Sequence, residues 1–355
     1  MPRISVICPT WNRGPAITAT LESVRAQTMT DWELFVMSDA SDDGTDEVVA
    51  ELAARDPRIT LRRTRRFGFQ AGPTNIALKE VSGEIVAYLD HDDVWDPHHL
   101  ALLTEVFDQG ADFAATRARK VDAAGTLLSV ADPLTMCWHP ELQLMNPLFE
   151  NSCAAHRTEL AEQAGGWRES RVGLEDWDLW LRLTDLGARC TTLLDCTVSM
   201  LHDLGTRQHS LPCDHDHEIA RFPDARSARA AYRALTHPRH HRAGTEAARA
   251  DLLDWYGSLA ASGELALPRG WQGGRAELDR AVHRHVDNVE PAWNNLIIEP
   301  KDGYVALAMV LGTMTPEHAA RYSEFFRSRM HHQMGFFTEV LGEASVVRAA
   351  GSVTR

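Results

Sequence analysis

Ile85-Val86-Ala87-Tyr88-Leu89-Asp90-His91-Asp92-Asp93-Val94-Trp95-Asp96-Pro97 decides the fold of this chain. Ile85 to Leu89 is a continuous apolar run, bounded upstream by Gly83, and it reads as a strand buried on both faces. Asp90, Asp92 and Asp93 stand where that strand surfaces, and Pro97 keeps the chain from continuing as a strand. Clustered carboxylates repel one another unless a cation neutralises them. A hard divalent ion such as Mn²⁺ or Mg²⁺ takes oxygen ligands and leaves further positions for water and substrate phosphates. The competing reading of the isolated segment is a solvated acidic loop at a strand end. The surrounding sequence decides between them.

Upstream, strands and helices alternate. Strand Ile4–Cys8 runs into the loop Pro9-Thr10-Trp11-Asn12-Arg13-Gly14 and a helix over about 16–27. Strand Trp32–Met37 ends at Asp39-Ala40-Ser41-Asp42-Asp43-Gly44-Thr45 and leads to a helix over about 46–54. A short strand, Ile59–Arg62, and a helix over about 73–79 precede the acidic strand. Continuous apolar strands separated by amphipathic helices predict a mostly parallel sheet with helices on both faces. In such sheets ligands bind beyond the C-terminal strand ends, where the loops 10–13, 39–45 and 90–93 would converge.

Downstream, a helix over 98–107 and short strands near Phe113 and 126–130 precede Gly165-Gly166-Trp167. In Gly173-Leu174-Glu175-Asp176-Trp177-Asp178-Leu179-Trp180-Leu181-Arg182, helical spacing begins at Asp176. Glu175 and Asp176 therefore sit at a helix start, where carboxylates are favoured as caps whether or not they do chemistry. After Pro212 strand signals fade and Ala, Arg and His dominate, which predicts a mainly α-helical domain over 214–355 beyond a first domain of 1–213. Its expected helices are 225–235, 245–261, 275–286, 304–314 and 316–341. The clusters His237-Pro238-Arg239-His240-His241 and His331-His332 read as solvated surface. The row Tyr322, Phe325, Phe326, Met330, Met334, Phe336, Phe337 reads as core or as a surface for homo-oligomerisation.

The 355 residues carry a formal charge of −14, which argues against nucleic acid and anionic membranes as partners. Six cysteines without paired spacing read as free thiols. No leader-like segment opens the chain, and the longest apolar stretch, about 304–314, is too short to cross a bilayer. A cytoplasmic protein is expected.

With these loops in place the first 210 or so residues resemble the GT-A glycosyltransferases of family 2. Ile4-Ser5-Val6-Ile7-Cys8-Pro9-Thr10-Trp11-Asn12-Arg13 is similar to the family's strand and Pro-Thr-X-Asn-Arg start. Ser38 to Thr45 resembles its Asp-Asp-Gly-Ser-X-Asp-Gly-Thr loop. Asp90-His91-Asp92-Asp93 looks like its metal-binding Asp-X-Asp, and Glu175-Asp176-Trp177 its acceptor-side Glu-Asp motif. Each fragment is weak alone; four in the family's order are a strong signal.

The resemblance implies a Rossmann-like GT-A domain with a nucleotide-binding half (1–115) and an acceptor-side half (116–213). It implies an inverting transfer of sugar from a nucleotide-diphosphate sugar, a UDP-sugar above all, to an acceptor that the sequence does not identify. Pro9, Thr10, Asn12, Arg13, Asn75 and Asp90 would line the donor, and Asp39 would accept a hydrogen bond from the pyrimidine, although Asp39 also suits a turn. Asp92 would be the firmest metal ligand, assisted by Asp90 and Asp93, with His91 a spacer beside the donor. Asp176 would be the general base and Glu175 its orienting partner. His202 would complete the metal site, with His209 its competitor, and Arg207 would pair with the diphosphate. Thr74 stands where the family has an arginine, leaving Arg65 or Arg66 as substitutes. A nucleotidyltransferase and a catalytically silent nucleotide-sugar binder are the alternatives; the first lacks its Gly-rich phosphate loop at Pro9–Gly14, and the second has no use for a base.

Overall fold

The computed structural model describes residues 1–169, 173–202, 215–289, 297–301, 303–309 and 315–347. The chain forms two compact units, one of residues 1–209 with Ala266–Trp271, the other of 210–265 with 272–355.

The first unit is built on one mixed sheet. Its strands are β1 (Ile4–Thr10), β2 (Trp32–Ser38), β3 (Ile59–Arg63), β4 (Ile85–Tyr88), β5 (Val94–Trp95), β6 (Phe113–Val121), β7 (Leu127–Val130), β8 (Ala154–Arg157) and β9 (Cys190–Leu201). They lie in the order β3-β2-β1-β4-β8-β6-β9-β5, with β7 paired to β6. The β3-β2-β1-β4 half is parallel, as the alternating pattern predicts. The other half departs from that pattern, because β8 runs antiparallel between β4 and β6. β8 was invisible in the sequence: Ala154-Ala155-His156-Arg157 has neither β-branched residues nor a polar alternation.

Helices cover both faces of this sheet. Ile4, Val6 and Cys8 of β1 pack to one side with Ile17, Leu21 and Val24 of α1 (Ile17–Arg25) and with α4 (His99–Asp108). Ile7 faces the other side with Tyr88, Phe113 and Trp180, the last from α7 (Glu175–Asp185). Between these lie α2 (Thr45–Ala53), α3 (Ala71–Ala77), α5 (Pro140–Met145) and α6 (Thr158–Gln163). Trp180 is fully buried, stacked on Phe113 with ring centres 5.0 Å apart, so α7 is fixed in the core immediately behind its first turn. Gly83 lets β4 begin against β1: a Cβ there would lie 2.7 Å from the Ser5 nitrogen. Cys8, Cys137, Cys153, Cys190 and Cys196 are free; Cys213 lies outside the described residues.

The second unit contains α8 (Ala225–Leu235), α9 (His241–Ser262), α10 (Gly274–Asp287), α11 (Pro316–Arg329) and α12 (His331–Leu341). The long helix expected over 316–341 is two helices, broken at Met330 (φ −94°, ψ 57°). Buried Asp251 of α9 stabilises the break by accepting the N–H groups of His332 (2.8 Å) and Gln333 (2.9 Å) at the start of α12. The helix expected over 304–314 is corrected. Tyr304–Met309 is a strand, β12, the centre of an antiparallel sheet between β10 (His215–Arg221) and β11 (Ile297–Lys301). A short apolar run fits a strand and a buried helix equally well. Tyr322, Phe325, Phe326, Met330, Phe336 and Phe337 are buried inside this unit, so the aromatic row serves as core. His237, His241, His331 and His332 are exposed, as expected, whereas His240 is half-buried, its Nδ1 donating to the Ala234 carbonyl (2.8 Å) and its ring edge-on to Phe336. Among the described residues no helix is long and apolar enough to cross a membrane.

Candidate active site

The loops after β1 and β2 are joined by side chains that the sequence suggested for a ligand. Asn12 takes a left-handed conformation (φ 47°) at the end of β1. Its Nδ2 donates to Asp42 Oδ1 (2.7 Å) and its Oδ1 accepts the Asp42 N–H (3.0 Å). The N–H groups of Arg13 and Gly14 both donate to Thr45 Oγ1, at 2.8 and 2.7 Å. Asn12 is thus a cross-link between loops, which fixes the pocket floor beside it.

That pocket, about 180 Å³, opens beyond β1 and is lined by Pro9, Thr10, Trp11, Asp39, Arg66, Gly68, Phe69, Gln70, Pro73 and His91. Asp39 is buried at its base. Its Oδ1 accepts the Phe67 N–H (2.6 Å) and its Oδ2 the Gly68 N–H (2.8 Å). The turn making those contacts is set by Phe67, whose ring lies so close to Gly72 that a Cβ there would meet it at 2.2 Å. Arg66 also pairs with Asp39 and lies over the half-exposed ring of Trp11, its Cζ 3.9 Å from the ring centre. Pro9, Thr10, Asp39 and His91, each expected beside a donor, line this one pocket together, and Trp11, an aromatic in an otherwise polar loop, joins them without having been expected.

The acidic segment separates into four different environments. Asp92 pairs with Arg13 (2.5 Å). Asp90 accepts a hydrogen bond from Asn151 Nδ2 (2.8 Å). Asp93 is buried and accepts from Ser152 Oγ (2.6 Å), which in turn accepts the Asp90 N–H (2.9 Å). Burial, and then the Asp90 charge, raise the Asp93 carboxyl well above the usual carboxylate range, which suits an internal brace. His91 Nδ1 accepts the Trp11 N–H (3.3 Å), and burial pushes its imidazole down to about 4. His91 is therefore a neutral ring, between the pocket and the acidic turn.

Asp90, Asp92, Asp93 and His202 do not form one preassembled cluster. His202 is exposed at the end of β9, its N–H donating to the Val121 carbonyl (2.8 Å). Among the described residues no group of three His, Cys, Asp or Glu side chains is arranged to hold a metal ion. The available donors are nonetheless of the right kind. Asp90 and Asp92 offer carboxylate oxygens, and Asn151 Oδ1 beside Asp90 is buried with no hydrogen-bond partner. An all-oxygen set fits Mg²⁺ or Mn²⁺, which complete their shells with water and phosphate.

On the acceptor side, Leu174 adopts a left-handed conformation (φ 59°) and delivers Glu175 and Asp176 as the first turn of α7. Trp177 Nε1 donates to the Gln143 carbonyl (2.7 Å), and Asp178 is fully buried against Arg182 (2.7 Å) and Arg168 (3.1 Å). Asp178 thus faces away from the site, as helical spacing predicts. Burial pushes the Asp176 carboxyl up to about 7, reinforced by the charges of Glu150, Asp90 and Glu175 and opposed by the Trp177 N–H. Glu175 is raised by burial too, and Gln70 donates a hydrogen bond to it. Gln70 also meets Asn151 Nδ2 (3.5 Å), so Asp90, Asn151, Gln70 and Glu175 form a continuous polar chain. The acidic turn and the Glu-Asp turn share one site.

Asn75 has a different task from the one expected. Its Nδ2 donates to the Trp167 carbonyl and its Oδ1 accepts the Trp167 N–H, both at 2.8 Å. Both ends of the amide hold the turn at Gly166 (φ 75°), where a Cβ would lie 2.7 Å from Asn75 Oδ1. Arg207 and His209 lie outside the described residues.

Residues 5–156 match the family model described as glycosyl transferase family 2. The chain is similar to the uncharacterized protein y4gI of Sinorhizobium fredii, 32% identical over 185 residues, covering 51% of this chain and 20% of that one. The Escherichia coli UDP-Glc:alpha-D-GlcNAc-diphosphoundecaprenol beta-1,3-glucosyltransferase WfgD is 39% identical over 99 residues, covering 28% and 38%. The chain spans between 20% and 38% of the length of these two relatives. The solved structure of S. aureus TarS 1-349 in complex with UDP-GlcNAc has a TM-score of 0.50 at 20% identity, covering 66% of this chain and 67% of that one. The chain therefore shares its fold with TarS 1-349.

Proposed function

We propose that the chain is an inverting glycosyltransferase that moves a sugar from a nucleotide-diphosphate sugar, a UDP-sugar in the first instance, to an acceptor hydroxyl or other nucleophile. The reading draws on the family model matched by residues 5–156, on one relative whose name specifies a UDP-Glc donor, and on one observation of the site. The acidic turn and Asp176 are joined by the chain Asp90–Asn151–Gln70–Glu175.

In this reading the nucleoside lies in the pocket between Trp11, Asp39 and Pro73, and the diphosphate extends toward Asp90 and Asp92. Those two carboxylates, with Asn151 Oδ1, would hold Mn²⁺ or Mg²⁺, which when bound supplies Lewis-acid stabilisation of charge on the departing diphosphate. Asp176 accepts the proton of the acceptor nucleophile as that nucleophile attacks the anomeric carbon. The bond from that carbon to the diphosphate oxygen breaks on the opposite face, so the configuration inverts. A carboxyl near 7 is suited to this, being about half ionised at neutral pH and basic enough to take a proton.

Asp176→Asn tests the assignment. Titration with UDP should show nearly unchanged binding, while release of UDP from a UDP-sugar in the presence of acceptor falls by about 10²–10⁴-fold. Equal loss of binding and turnover would remove Asp176 from the role of base.

A further inference from the structure

We propose that Arg66 is a latch on the donor pocket, its guanidinium resting on Trp11 and Asp39 in the place that a nucleobase takes, so that a nucleoside diphosphate binds by displacing it. The inference rests on the donor-binding reading above and goes beyond it by naming what fills the slot first.

The two contacts of Arg66 are those a pyrimidine would make. Its guanidinium is flat and lies over the Trp11 ring, with Cζ 3.9 Å from the ring centre. Its Nη1 pairs with Asp39 Oδ2 at the base of the pocket. A uracil ring is likewise flat, has a face to stack and carries one edge N–H for a carboxylate. Trp11 and Asp39 thus recognise either group, but not both at once. Arg66 itself lines the pocket.

The latch is built to open. The Arg66 side chain is 43% exposed, whereas Asp39 beneath it is 6% exposed. When the guanidinium swings out it returns to water, and Asp39 stays in place because the Phe67 and Gly68 N–H groups still hold its two oxygens. That turn is fixed independently by the Phe67 ring against Gly72. Displacement therefore removes an exposed cation–π contact and one ion pair without rebuilding the pocket. A second device of the same kind sits nearby, Arg13 on Asp92, although that pair is less exposed.

Calorimetric titration of the full chain with UDP in Mn²⁺ buffer, for wild type, Arg66→Ala and Arg66→Lys, tests the latch. Arg66→Ala should bind UDP at least about fivefold more tightly, the factor expected from an exposed cation–π contact and an ion pair no longer to be broken. Arg66→Lys keeps the charge near Asp39 but loses the flat face, and should fall between. Equal or weaker binding by Arg66→Ala would overturn the latch, since a residue that contacts the nucleotide loses affinity when truncated. Absence of UDP binding by the wild type would instead overturn the donor-binding reading. The melting temperature of each variant shows that the comparison is between folded proteins.

Discussion

Carboxylates on the donor side of the site are met by arginines, Asp39 by Arg66 and Asp92 by Arg13. At the start of α7 Glu175 and Asp176 are met by burial, which lifts both, and the charge of Asp90 adds to it. The same residue type thus does two kinds of work. Donor-side Asp39 and Asp92 each hold a guanidinium that another cation or a hydrogen-bond donor can replace. Acceptor-side carboxylates are held where a proton can be taken up and released. Position on the scaffold explains the split: strand ends open onto loops that carry arginines, whereas the first turn of α7 is pressed against the core by Trp177 and Trp180.

Asp92→Ala gives the largest expected effect. It removes a cation-holding carboxylate, so the rise in melting temperature caused by UDP with Mn²⁺ should disappear; at ligand a hundredfold above Kd that is about 2.7 kcal/mol of stabilisation. Retention of the Mn²⁺-dependent rise would move the metal away from the acidic turn. A smaller effect of opposite sign belongs to Asp176→Asn. The folded chain keeps a proton on Asp176 between about pH 4 and pH 7 that the unfolded chain has released, so stability falls as pH rises through that window. Thermal melts at pH 8 should place Asp176→Asn about 2–4 °C above wild type, with the gap closing at pH 5. A lower melting temperature at pH 8 would show that Asp176 is stabilised as an anion, like its donor-side counterparts. Smallest is Asp93→Asn, which swaps a buried carboxyl, raised by that burial and braced by Ser152, for a neutral amide of the same shape. Mn²⁺-dependent UDP binding should stay within about twofold of wild type; a loss like that of Asp92→Ala would make Asp93 a ligand after all.

Much of the first unit was legible because its signals are local. Apolar runs gave β1, β2 and β4, helical spacing gave α1, α2 and α4, and Pro or Gly marked the joints. Trp177, Trp180 and Leu181 announced α7 within a residue of its start. What escaped depends on partners far along the chain. Nothing near Asn75 reveals that its amide belongs to Trp167, and nothing near Asp93 reveals Ser152. β8 and β12 escaped because four small or polar residues and six apolar ones carry no period that separates strand from helix. In the site, residue types were readable while their pairing was not. The arginine on Asp39, the vacant oxygen of Asn151 and the bridging role of Gln70 all come from tertiary contacts.

The most direct test of a half-buried base facing the acidic turn is the pH dependence of UDP release from a UDP-sugar at saturating Mn²⁺, for wild type and Asp176→Asn. The wild-type rate should rise with pH and level off above about 7, as Asp176 loses its proton, and that limb should vanish in Asp176→Asn. A wild-type rate flat from pH 5 to 8, or the same limb persisting in the variant, would contradict the account.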